Sequence, residues 1–100
     1  MSNRQIAAAL TRARTKYNLS QAQVAREAGV SPAYVSAVES GHEKASEKLL
    51  RFYAEKFRLD FDELARASGR VPSDVKQHLV ETPGAIAKVR SDMKKQPATK

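Results

Sequence analysis

The chain has no cysteine and no tryptophan, only two histidines, four glycines and four prolines in 100 residues, and apolar runs of only a few residues. Each scarcity removes a class of protein. Without cysteine there is no disulfide and no thiolate site for zinc or an iron–sulfur cluster. His42 and His78 stand without a ligand partner at a useful spacing, so no metal or other cofactor is expected. The short apolar runs exclude a membrane-spanning helix. The N-terminal MSNRQ lacks the basic-then-apolar plan of a signal peptide, which makes a soluble, cytoplasmic protein the expectation. No Ser/His/acid, Cys/His or metal constellation is present, so an enzyme is not expected.

Positive charge is what the chain has in excess. Eighteen Lys and Arg against eleven Asp and Glu leave a net charge of +7, with a pI of about 10.0. The excess is uneven: residues 1–44 carry +3, residues 45–69 are neutral and residues 70–100 carry +4. Basic ends on a neutral middle suit a protein that rests on polyphosphate. The length allows one small domain with a core of four or five helices.

The segment QAQVAREAGVSPAYVSAVES, residues 21–40, holds the sharpest local signal. Val24, Ala25 and Ala28 share one helical face, Gly29 stands where a tight turn needs positive φ, and Val30 plugs the corner. Ser31 then caps a second helix, with Pro32 at the first helical position, where a missing N–H costs nothing. Val35 and Val38 turn that helix back toward the first. Ala33, Ser36, Ala37 and Ser40 remain outward at i, i+3, i+4 and i+7, with Tyr34 on the flank. A free face this small and weakly polar can lie close to another surface.

Around this unit the periodicity predicts further helices. A first runs over about residues 3–17 on the stripe Ile6, Leu10, Ala13 and Tyr17. Ser20 and Gln23 form a capping box for the second, and Gly41 closes the third, followed by the polar loop His42, Glu43, Lys44, Ala45. Ser46 starts a fourth that buries Leu49, Leu50, Tyr53, Ala54 and Phe57. Asp60 caps a fifth, with Glu63 at the capping-box position and Phe61, Leu64 and Ala65 facing the core. Arg58 stands after the fourth helix where glycine would be easiest.

Leu19-Ser20-Gln21, Ala25, Gly29-Val30-Ser31, Val35 and Glu39-Ser40-Gly41 resemble the Cro/C1-type (XRE) helix-turn-helix repressors, over about residues 6–68. The resemblance implies an all-α, lambda-repressor-like five-helix domain over residues 1–69. In it the helix of residues 31–40 enters the major groove of double-stranded DNA while that of residues 21–28 crosses the phosphate backbone. It implies an ion pair between Arg14 and Glu39 that holds the recognition helix at its angle, and a phosphate contact from Gln21. Pro32, Ala33 and Ala37 occupy positions where such repressors often carry Gln, Arg or Asn. Readout is therefore expected from the hydroxyls of Ser31 and Ser36, from Ala33 and Ala37 against thymine methyls, and from Tyr34 at a base edge or the backbone, the alternative for Tyr34 being packing at the helix N-terminus. DNA shape and contacts from the loop around His42 and Lys44 complete it.

Beyond Gly69 the resemblance thins. Pro72 or Ser73 opens a sixth helix carrying Val75 and Leu79, and Thr82-Pro83 reads as cap and first position of a seventh carrying Ile86, Val89 and Met93. Stripes so narrow need the core, a second chain, or partial fraying. The expectation for residues 70–95 is a helical pair packed on the domain that helps make a dimer, with residues 96–100 a disordered tail. The functional expectation is a homodimeric repressor on an inverted repeat. The alternative is an antitoxin-like protein that represses its own operon and holds a toxin through the C-terminal extension.

Overall fold

A computed structural model describes residues 3–95. Helix α1 (Asn3–Lys16) places Ile6, Ala7 and Leu10 in the core. It stops one residue short of Tyr17 because Asn18 turns left-handed at φ 60°, a conformation asparagine tolerates. Tyr17 is accordingly 43 % exposed and lies against Phe57, ring centroids 5.2 Å apart.

Helix α2 (Gln21–Ala28) begins with the full capping box: the Gln23 amide donates to Ser20 Oγ at 3.0 Å, and the Ser20 amide to Gln23 Oε1 at 2.8 Å. It ends at Gly29, φ 73°, as the tight turn requires. Helix α3 (Pro32–Glu39) follows after Ser31, whose Oγ accepts from the Tyr34 amide at 3.1 Å. Val24, Ala25, Val35 and Val38 are all buried between the two helices and the rest of the core.

Helix α4 (Glu47–Phe57) is capped by Ser46 and buries Leu49, Leu50, Tyr53, Ala54 and Phe57. Tyr17, Phe52, Tyr53 and Phe57 form a tilted and edge-on aromatic cluster, so four of the six aromatic side chains meet at one place. Arg58 adopts φ 58°, ψ 47°, the left-handed cap its position demands. Helix α5 (Phe61–Ala67) is capped by Asp60, but the predicted reciprocal half of its capping box is not made. The Glu63 carboxylate turns instead to Arg66, 2.7 Å away. An (i, i+3) arginine on an exposed face offers a carboxylate charge as well as a donor.

The described residues fall into two compact units that part between Arg70 and Val71. The second holds α6 (Ser73–Glu81) and α7 (Ala85–Lys95), neither of which buries a residue. The predicted start of α7 is corrected by this structure. The Thr82 amide still donates to His78 O at 3.0 Å, so Thr82 ends α6, and Thr82, Pro83 and Gly84 form the turn before Ala85. Gly84 at φ 84° explains the shift, since the chain reverses there rather than at the proline. The tail 96–100 lies outside the described residues.

Candidate nucleic-acid interface

The site is built around one carboxylate. Glu39, the last residue of α3, has a side chain only 2 % exposed, and Arg14 of α1 meets it with a side chain 12 % exposed. Arg14 Nη2 donates to Glu39 Oε1 at 2.8 Å and Nε to Oε2 at 2.9 Å, while Nη1 donates to Leu19 O at 2.8 Å. One guanidinium thus ties α1 to the end of α3 and to the chain entering α2.

Further donors complete the carboxylate's shell. Gln21 Nε2 donates to Oε1 at 3.1 Å, and the Tyr53 hydroxyl donates to Oε2 at 2.5 Å. The Thr11 hydroxyl has one proton for two acceptors, Ala7 O at 2.9 Å and Glu39 Oε1 at 3.2 Å. Four helices therefore meet at Glu39. Burial by itself would raise the Glu39 carboxyl, but the hydrogen bonds from Arg14, Tyr53 and Gln21 outweigh it and hold the group below its ordinary range. The Tyr53 hydroxyl is pushed up, first by burial and then by its bond to Glu39, which keeps it a donor. The Arg14 guanidinium, bonded to the carboxylate, is raised as well.

The result is a helix α3 fixed from behind with its other side free. Ser31 at the cap and Pro32, Ala33 and Ser36 of α3 are exposed, and Ala37 is half-buried. The Ser31 oxygen is used by the cap, which leaves its hydroxyl proton available to a partner. Gln21, expected at a phosphate, is half-buried. It spends one N–H on Glu39, and the second remains for an anion. Tyr34 is half-buried and packs against the core, and its hydroxyl is engaged by the following loop. His42 and Lys44 are exposed on that loop, with His42 Nδ1 2.7 Å from Ser40 Oγ. The one Ser40 hydroxyl proton has two acceptors within reach, that nitrogen and Ala37 O at 3.0 Å.

Sequence reasoning placed Tyr53 in the core but missed its hydroxyl as a partner of Glu39. It also missed Arg70, whose Nη2 donates to Ala45 O at 2.8 Å. A signal for the first existed, because a buried tyrosine needs a partner for its hydroxyl. None existed for the second. Among the described residues no group of His, Asp and Glu side chains converges as a metal site, and no helix is long and apolar enough to cross a membrane.

Comparison with curated proteins and with solved structures returns no match. A family model described as helix-turn-helix matches residues 10–64, from the middle of α1 into α5. That span is more than half of the chain and includes Arg14, Gln21, all of α3, Glu39 and Tyr53. The chain belongs to the Cro/C1-type helix-turn-helix family of DNA-binding regulators.

Proposed function

We propose that the protein is a homodimeric repressor that places α3 in the major groove of an inverted-repeat operator. The observation that carries this reading is the exposed, small-residue face Ser31, Ala33 and Ser36 on a helix whose opposite end is locked by a buried ion pair. Such a helix can approach base edges closely and at a constant angle. Gln21, His42 and Lys44 supply flanking contacts to phosphate. A single module of this size reads only a few base pairs, so two copies are needed for a selective site.

We assign the pairing of copies to α6 and α7. They bury no residue of their own, and short helices of this kind are not stable without a partner. Binding-site selection from random duplexes, followed by sizing of the complex, tests the whole reading. Two chains on half-sites about one helical turn apart, roughly 34 Å, are expected. One chain on a single half-site overturns the dimer. Glutamate at Ile86 and Met93, which are 52 % and 66 % exposed, should yield monomers in sedimentation if α7 is the seam. Unchanged pairing would free the second unit for a toxin-like protein partner.

A further inference from the structure

Between α3 and α4 the chain makes a seven-residue loop, 40–46, that carries the exposed Lys44. Its first half is tied to the end of the recognition helix. The amides of His42 and Glu43 both donate to Ala37 O, at 2.9 and 3.2 Å. Its second half is held by two side chains from opposite directions. The Tyr34 hydroxyl accepts from the Ser46 amide at 2.8 Å and points its own proton toward Lys44 O, 3.4 Å away. Arg70 Nη2 donates to Ala45 O at 2.8 Å, and the Arg70 amide is itself anchored on Ala65 O at 2.8 Å.

Three consecutive residues, Lys44, Ala45 and Ser46, are therefore gripped through their backbones, and Ala45 is buried at 5 % exposure. Ser46 is also the cap of α4, with Oγ accepting from the Leu49 amide at 3.2 Å. The grip thus joins the start of α3, the start of α4 and the end of the first unit. Arg70 carries a cost here, because its buried Nε has no partner. The Lys44 ammonium, in contrast, has no acidic partner among the described residues and is free for an anion.

We infer that Tyr34 and Arg70 are positioning residues: together they clamp the loop so that Lys44 is presented to the DNA phosphate backbone beside α3. This rests on the DNA-binding reading above. On this assignment the flank of the recognition helix supplies a tether rather than a base reader. The tyrosine acts through its hydroxyl, and its ring serves the core. Arg70 acts from the last residue before the chain passes to the second unit, where nothing in the local sequence marks it as part of the interface.

The test compares the full chain with Tyr34→Phe, Arg70→Met and Lys44→Gln, alone and combined, on the selected operator duplex over a range of salt. Lys44→Gln should lower the slope of log affinity against log salt by about one per lysine contact. Tyr34→Phe and Arg70→Met should each weaken binding about three- to tenfold and flatten the slope in the same way, although neither removes a charge that touches phosphate. In the Lys44→Gln background both should have little further effect. Amide exchange supplies an arm that needs no DNA: Tyr34→Phe should speed exchange at Ser46 while leaving Val24 and Val35 protected.

Salt slopes unchanged from wild type, or losses that add fully to that of Lys44→Gln, would overturn the assignment while leaving DNA binding intact. Unchanged Ser46 exchange would overturn the clamp itself. Failure of the wild-type chain to retain any duplex would instead overturn the DNA-binding reading, and with it the role given to the clamp.

Discussion

Glu39 concentrates the energetics of the site. Removing one member of a buried, hydrogen-bonded ion pair costs about 3–5 kcal/mol, because the other charge stays behind without its partner. Arg14→Ala should fall at the lower end, about 3 kcal/mol by denaturant unfolding, since Tyr53 and Gln21 still donate to the carboxylate. The matched Arg14→Ala, Glu39→Ala double variant should recover part of that loss, and strict additivity would show that the two do not interact. Because the folded Glu39 carboxyl titrates below its unfolded value of about 4.3, its contribution is complete above that value and drains as pH falls through the folded one. Stability of the wild type should therefore drop steeply below about pH 4, and Glu39→Gln, less stable at neutrality, should show a shallower acid limb. Arg58 gives an opposite prediction. A non-glycine residue held left-handed costs roughly 1–2 kcal/mol, offset in part by glycine's greater chain entropy, so Arg58→Gly should raise stability by up to about 1 kcal/mol.

At the scale of elements, α3 is a short helix with two jobs divided between its faces. Val35 and Val38 hold it in the core, while Ala33 and Ser36 remain free. If this free face reads DNA, its side chains offer a methyl group and a hydroxyl rather than a bidentate donor pair. At least one thymine per half-site should then be felt through its C5-methyl. Replacing that thymine by uracil leaves every hydrogen-bonding edge in place and should weaken binding by about 1 kcal/mol per half-site, the scale of one buried methyl-sized group. Titration of uracil-substituted duplexes decides the matter, and tolerance at every half-site position would exclude α3 methyl contacts as the source of specificity. The same division of labour explains Gln21. It opens α2 with one amide proton turned inward to Glu39, so any phosphate it holds is placed by the ion pair.

For the whole molecule, charge sets the behaviour that is easiest to measure. A net charge of +7, with the excess at the two ends of the chain, should make operator binding strongly salt-dependent. If two copies together neutralise about 6–10 phosphates, affinity should fall by roughly 10³–10⁵ between 50 and 200 mM salt. A nearly flat dependence in a filter or fluorescence titration would contradict phosphate contact as the main source of affinity. The second unit contributes to this charge through Lys88, Arg90, Lys94 and Lys95 of α7, all exposed.

Local chemistry was enough to read most of the first unit. Ser20 with Gln23, Ser31 before Pro32, Ser46, and Gly29 at the turn are all interactions between residues a few positions apart, so short-range geometry decides them and the sequence displays them directly. The apolar stripes of α2, α3 and α4 follow from the helical period for the same reason. The Arg14–Glu39 pair was legible only through family resemblance, because its members lie 25 residues apart and nothing local relates them. Tertiary structure alone brought Tyr53, Gln21 and Thr11 to the same carboxylate, and set Tyr34 and Arg70 on either side of residues 44–46. A buried charge or backbone group takes whatever donor the packing delivers to it, and that delivery depends on how helices cross rather than on the order of residues within any one of them.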